Sequence, residues 1–204
     1  ESGCGKSTLG RCLIRLLDST AGKVLLQDGE GGGYTDVTKV SASTMKELRK
    51  RVQIVFQDPY SCLNPRLSVW ELIAEPLIVN RVYRSRAEMR KRIRELMSTV
   101  GLAERLENSY PHELDGGRRQ RIGIARSLAL NPEFIVLDEP VSALDVCIQA
   151  QILNLLNELQ REFHYTYVFI SHNLSVVKHV SDRIAVMYLG QVVELCDYKE
   201  LFST

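Results

Sequence analysis

Apolar residues recur along this chain at two periods, and the alternation between those periods sketches its architecture. Leu9, Leu13, Leu16 and Leu17 fall at helical spacing and predict a core-facing helix over about 8–17. Residues 23–27 read as a strand, which Asp28-Gly29 and the Gly31-Gly32-Gly33 run break before a second extended stretch at 34–38. Residues 51–57 alternate towards Ile54 and Phe56 and predict a short strand ending at Gln57. Asp58-Pro59 and Asn64-Pro65 then predict an irregular, extended loop. From Val69 to Leu130 the pattern is mainly helical, with Met89, Ile93, Leu96, Met97 and Val100 forming a core stripe. Phe134–Leu137 and Tyr167–Ile170 are continuous apolar runs, as expected of strands buried on both faces. Between them Ile148, Ile152, Leu155, Leu156, Leu159 and Phe163 mark an amphipathic helix. Residues 183–195 read as a hairpin turning at Leu189-Gly190-Gln191.

Buried strands alternating with helices predict an α/β fold: a mainly parallel sheet with flanking helices, an antiparallel β region and an inserted helical subdomain. The reading is of one domain over 1–204, with a core at 1–65 and 127–204 and a helical subdomain at about 66–126. A chain of 204 residues can bury one such core.

Composition narrows the field without deciding it. The formal net charge is +1, so no overall field points to nucleic acid, and no nucleic-acid partner is expected. A local basic run between Arg81 and Arg94 reads as a solvated helix face. Five scattered cysteines without a C-x-x-C argue against a disulfide framework or a zinc site and suit a reducing compartment. No apolar run approaches the roughly 18 residues of a membrane span.

Chemistry enters at the first residues. Ser2-Gly3-Cys4-Gly5-Lys6-Ser7-Thr8 matches most of the phosphate-loop pattern G-x-x-x-x-G-K-[ST], lacking only the first glycine. Such a loop needs glycines because its backbone N–H groups must close around phosphate oxygens, with a helix N-terminus aimed at the same anion. Lys6 is suited to reach the β- and γ-phosphates and Ser7 to bind Mg²⁺. The run Phe134-Ile135-Val136-Leu137-Asp138-Glu139 ends a buried strand on two acids. The first is suited to the Mg²⁺ shell and the second to the attacking water.

Leu114-Asp115-Gly116-Gly117-Arg118-Arg119-Gln120-Arg121, Gln57, Ser142-Ala143-Leu144-Asp145 and Ile170-Ser171-His172 complete a set in which the chain resembles the nucleotide-binding subunit of an ABC transporter. The resemblance covers essentially the whole chain. Phe56–Arg66 and Ile73–Leu77 look like the oligopeptide, dipeptide and nickel importer branch. The resemblance implies a P-loop NTPase fold that binds ATP and Mg²⁺ through Ser2, Gly3, Cys4, Gly5, Lys6, Ser7 and Thr8. It makes Glu139 the general base, His172 a γ-phosphate switch and Gln57 a sensor touching the metal or its water shell, with Asp138 holding Mg²⁺ through water. It implies a head-to-tail dimer with a second ATP-binding subunit, in which Asp115, Gly116 and Gly117 face the partner's nucleotide and Asp145 lies at the interface. It implies that the loop after Gln57 contacts membrane permease subunits, and that the protein sits on the cytoplasmic face of the inner membrane.

Two departures from the family pattern matter. The family signature reads L-S-G-G-Q, whereas this chain has Asp115 in place of the serine donor and Arg118 in place of the glutamine. Asp115 would bring negative charge towards a polyanion, so a homodimer is expected to be impaired at both sites, while a heterodimer keeps the site built on this chain's phosphate loop. The alternative function is a regulatory subunit that binds ATP and hydrolyses it poorly. Aspartate is also a strong helix N-cap, so the helix after it is expected to survive. The family also places a strand and an adenine-stacking aromatic before residue 1 and, in the importer branch, an extension after Thr204. The chain is therefore expected to be a fragment with its N-terminal strands missing, marginal in stability and weak in ATP affinity on its own.

Overall fold

Residues 3–29 and 31–203 are described by the structure, a computed structural model. Glu1, Ser2, Glu30 and Thr204 lie outside the described residues, and with Ser2 goes one residue expected to bind phosphate.

In chain order the first half contains α1 (Lys6–Leu13), β1 (Leu25–Gln27), β2 (Tyr34–Asp36), α2 (Ala42–Arg51), β3 (Val52–Val55), α3 (Pro59–Cys62), α4 (Val69–Val79) and α5 (Arg86–Thr99). There follow α6 (Gly116–Leu128), β4 (Phe134–Asp138), α7 (Val146–Phe163), β5 (Thr166–Ile170), α8 (Leu174–Val180), β6 (Arg183–Tyr188), β7 (Gln191–Asp197) and α9 (Tyr198–Leu201). Two single 3₁₀ turns, Glu104–Leu106 and Pro111–Glu113, link α5 to α6.

Among the described residues β3, β4 and β5 form a parallel sheet in that order, with Ile54 opposite Val136 and Val136 opposite Val168. β4 is its central strand, and Ile135, Val136, Leu137 and Asp138 are all buried. That explains why its sequence runs apolar without alternation. Two antiparallel pairs, β1 with β2 and β6 with β7, stand apart from this sheet. The β6–β7 hairpin turns at Leu189 and Gly190, both with positive φ.

The main core joins the sheet to the helical stretch: Leu72, Ile73 and Leu77 of α4, Ile93 and Met97 of α5, Ile122 and Ile124 of α6, and Ile152 and Leu159 of α7 are almost fully buried. The predicted α5 stripe faces this core, with Ile93, Met97 and Val100 fully buried. α4 begins with a capping box, in which Ser68 accepts from the Glu71 N–H and Glu71 accepts from the Ser68 N–H.

Three expectations need correction, and one element was not foreseen. The first helix starts at Lys6 and ends at Leu13, and its expected apolar stripe is not the buried one: Leu9, Leu16 and Leu17 are exposed. Gly10 and Ile14 face the sheet instead, and a Cβ on Gly10 would stand 2.7 Å from Ile170 Cδ1. The helix therefore lies closer to the sheet than a leucine face would permit. The extended loop predicted for 58–65 contains a helical turn, α3, because the Asp58 carboxylate caps the Tyr60 N–H at 2.8 Å. The residues before β3 form α2, capped by Ser41 and poor in apolar residues beyond Met45 and Leu48. The strands predicted at 23–27, 34–38 and 51–57 are shorter, at 25–27, 34–36 and 52–55.

Candidate functional site

Gly3 and Gly5 both have left-handed backbones, with φ of 85° and 94°. This conformation costs an L side chain energy and glycine almost nothing. Gly5 is the N-cap of α1, so the loop turns directly into a helix whose leading N–H groups have no acceptor within a helix. These groups and their dipole favour an anion. The β6–β7 turn supports the loop from outside, where the Gly190 N–H donates to the Cys4 carbonyl at 3.1 Å. Cys4 is buried, and the Lys6 Nζ donates to its Sγ at 3.3 Å.

A cleft of about 570 Å³ opens over this loop, lined by Gly3, Gly5, Lys6, Ser7, Thr8, Gln57, Glu139 and His172. Four separate segments meet there: α1, the end of β3, the end of β4 and the end of β5. The parallel topology is the reason, because strands running the same way deliver their C-terminal ends to one edge.

At the floor, Ser7 Oγ donates to Asp138 Oδ1 at 2.6 Å, and Asp138 is 2% exposed. A hydroxyl and a buried carboxylate in contact are the hard oxygen donors that Mg²⁺ takes, so these residues fit that ion. Next to them, Glu139 holds φ at 49°, an unusual backbone for a non-glycine residue. Its N–H donates to the Ile170 carbonyl at 3.0 Å, tying the turn after β4 to β5. Both Glu139 oxygens have neighbours: Gln57 Nε2 donates to Oε2 at 3.1 Å, and His172 Nδ1 lies 3.1 Å from Oε1. The side chain is largely shielded, whereas His172 is mostly open to the cleft.

Among the residues expected to act, the structure brings together Gly3, Gly5, Lys6, Ser7, Thr8, Gln57, Asp138, Glu139 and His172, with Cys4 beneath the loop. It does not bring Asp115, Gly116 and Gly117 into this cleft. They open α6, where the Asp115 carboxylate accepts the Arg118 N–H at 2.8 Å and pairs with its guanidinium at 3.3 Å. The N-cap expected of Asp115 is present. A Cβ on Gly117 would meet Ile148 Cγ2 at 2.6 Å, and one on Gly116 would meet Leu144 Cδ2 at 3.1 Å. The two glycines thus let the start of α6 pack closely on the region opening α7, apart from any anion they bind. Asp145, Val146 and Cys147 are exposed beside them, and Val146 is 79% exposed.

Sequence reasoning passed over one contact near the site. The Arg119 guanidinium stacks on the Tyr60 ring, 3.8 Å from its centroid. Nothing in either local pattern joins Arg119 of α6 to Tyr60 of α3, so distant in sequence.

Comparison with known proteins gives a consistent result. The family model described as ABC transporter matches residues 1–142. The chain is 52% identical over 203 residues to the oligopeptide transport ATP-binding protein OppF of Bacillus subtilis, covering 100% of this chain and 65% of that protein. It is 50% identical over 202 residues to OppF of Salmonella typhimurium, covering 99% of this chain and 59% of that protein. The chain thus spans about three-fifths of the length of these relatives. Among solved structures, the ATP-binding cassette MJ0796, a dimer bound to ADP and Pi, aligns with a TM-score of 0.81 at 33% identity, covering 97% of this chain and 82% of that one. The cbiO1 protein of Clostridium perfringens, part of the transporter complex cbiONQ, aligns with a TM-score of 0.82 at 29% identity, covering 100% of this chain and 76% of that one. No helix among the described residues is long and apolar enough to cross a membrane.

Proposed function

The chain belongs to the ABC transporter family, and we propose that it is the ATP-binding and ATP-hydrolysing part of an importer for oligopeptides. The observation that carries this reading is the single cleft in which the phosphate loop, the Ser7–Asp138 pair, Glu139, Gln57 and His172 converge.

In this reading the glycine loop, the α1 N-terminus and Lys6 bind the triphosphate. Ser7 and Asp138 hold Mg²⁺, Asp138 through water, with Gln57 at the edge of that shell. The ion, when bound, supplies charge neutralisation for the phosphates. Glu139 orients the attacking water and accepts its proton. Each of its oxygens has one neighbour, Gln57 or His172, and keeps a further acceptor site for a water. Gln57 and His172 turn towards the γ-phosphate when nucleotide binds. Water positioning and electrostatic clamping supply most of the rate in such a transfer.

The partner subunit is a second ATP-binding cassette arranged head to tail. Asp115, Gly116 and Gly117 face its nucleotide, and exposed Asp145 and Val146 lie in the contact. Asp115 favours a heterodimer with a subunit that retains a donor at this place. The loop after Gln57 contacts the membrane permease from the cytoplasmic face of the inner membrane. Oligopeptide is the cargo supported by the names of the relatives.

A cell whose growth requires peptide uptake tests the whole reading. Replacing Glu139 by Gln in the native gene is expected to abolish growth on a peptide source while sparing growth on the free amino acid. Unchanged peptide growth would overturn the peptide-importer assignment.

A further inference from the structure

α3 is held at both ends by a single face of α6. At its start, the Arg119 guanidinium lies 3.8 Å from the centre of the Tyr60 ring. At its end, Arg126 Nη1 donates to the Cys62 carbonyl at 3.4 Å, and the same arginine pairs with Glu75 of α4. Arg119 and Arg126 lie two turns apart, so they project from the same side of α6.

The Arg119 end is unusual. This guanidinium is buried, its Nε donates to the Pro111 carbonyl at 2.5 Å, and its Nη1 finds no acceptor among the described residues. Its charge is therefore opposed by a ring face and one carbonyl and, among the described residues, is paired with no carboxylate. A desolvated cation on an aromatic face is where such a stack contributes most. Tyr60 in turn is mostly exposed, so the ring is held in place chiefly by the arginine and not by a surrounding core.

The position of Tyr60 gives the contact a consequence. It follows Asp58, whose carboxylate caps its N–H, and Gln57, whose amide donates to Glu139 at 3.1 Å. Arg119 lies in the first turns of the helix that Asp115, Gly116 and Gly117 open. A short run thus connects the Glu139 carboxylate to the N-terminal turn of α6, with the stacked pair at its α6 end.

We propose that Tyr60 is a positioning residue: its stack on Arg119 ties the orientation of the α6 N-terminal turn to the state of Gln57 in the cleft. When Gln57 leaves Glu139, α3 moves with it and carries the start of α6. The inference rests on the ATPase reading above. It assigns Tyr60 no contact with nucleotide.

The test uses the full-length protein with its natural ATPase partner and compares wild type with Tyr60→Phe and Tyr60→Leu. Tyr60→Leu is expected to lower kcat about tenfold or more, with affinity for a fluorescent ATP analogue close to wild type and the melting temperature lowered by a few degrees through loss of the stack. Tyr60→Phe keeps the ring face and is expected to restore kcat. Combining Tyr60→Leu with Arg119→Met is expected to cost little more than either change alone, because both remove the same contact. Tyr60→Leu with wild-type kcat, a Phe variant as slow as Leu, or additive losses in the double variant would each overturn the proposal. A wild-type protein without Glu139-dependent turnover would instead overturn the ATPase reading beneath it.

Discussion

The Gln57 side-chain amide donates to Oε2 of Glu139 at 3.1 Å, joining the end of β3 to the turn after β4 across the mouth of the phosphate cleft. With His172 Nδ1 3.1 Å from the other oxygen, the carboxylate is held from both sides. Its left-handed backbone shows that the surrounding structure imposes this placement, since an isolated residue would avoid it.

Replacing Glu139 by Gln keeps the shape and removes the proton acceptor. The expected outcome is a loss of turnover of about 10²-fold or more, the usual contribution of a positioned base, with ATP affinity unchanged or tighter. Steady-state kinetics and equilibrium binding of a fluorescent nucleotide would check the two halves separately. Loss of binding in step with turnover would contradict a role in the water step.

Asp138 and Ser7 form the other pair at the cleft floor. Asp138→Asn removes the negative charge but keeps a polar group beside Ser7 Oγ. The Mg²⁺ concentration needed for half-maximal turnover is expected to rise at least tenfold, on the order of one lost charge-assisted contact, while metal-free nucleotide binding changes little. An unchanged Mg²⁺ titration would remove Asp138 from the metal shell.

Gly117→Ala tests the packing role of the glycines opening α6. Its Cβ would sit 2.6 Å from the branched Cγ2 of Ile148, which cannot swing away as a long side chain does. Overpacking of this kind typically costs about 1–3 kcal/mol, so thermal denaturation is expected to shift down by several degrees. A Gly117→Ala, Ile148→Ala double variant is expected to regain part of that loss. If the single variant melts like wild type, the close approach of α6 and α7 is not a constraint.

Acid sensitivity has a specific origin in the helical region. The Glu107 carboxyl is held below its ordinary value by hydrogen bonds from Arg94 and Arg90, which outweigh the effect of burial. A carboxyl whose folded pKa is depressed contributes stability above its unfolded pKa of 4.5, and that contribution is lost as pH falls through the folded value. Denaturant melts of wild type and Glu107→Gln at neutral and acid pH would therefore converge as pH drops below 4.5. A constant gap between them would contradict the assignment.

Much of this site could be read in the chain because it consists of local signatures. Gly3, Gly5, Lys6, Ser7, Asp138 and Glu139 sit where short motifs put them, and a parallel sheet carries strand ends to one edge. The buried face of α1 was not legible, because apolar periodicity favours Leu9 and Leu16 whereas closeness to the sheet is set by a missing side chain at Gly10. α3 was hidden by the two Asx-Pro pairs, which argue for extended backbone, while the Asp58 cap that makes the turn is a three-dimensional contact. The Tyr60–Arg119 stack had no signal at all, since cation–π pairing follows neither helical nor strand spacing.

Steady-state ATPase activity of the full-length protein tests the central claim most directly, measured alone and mixed with its natural ATPase partner, with Glu139→Gln as the blank. The account predicts Glu139-dependent hydrolysis that rises sharply when the partner is added. ATP binding without Glu139-dependent hydrolysis in either sample would contradict it.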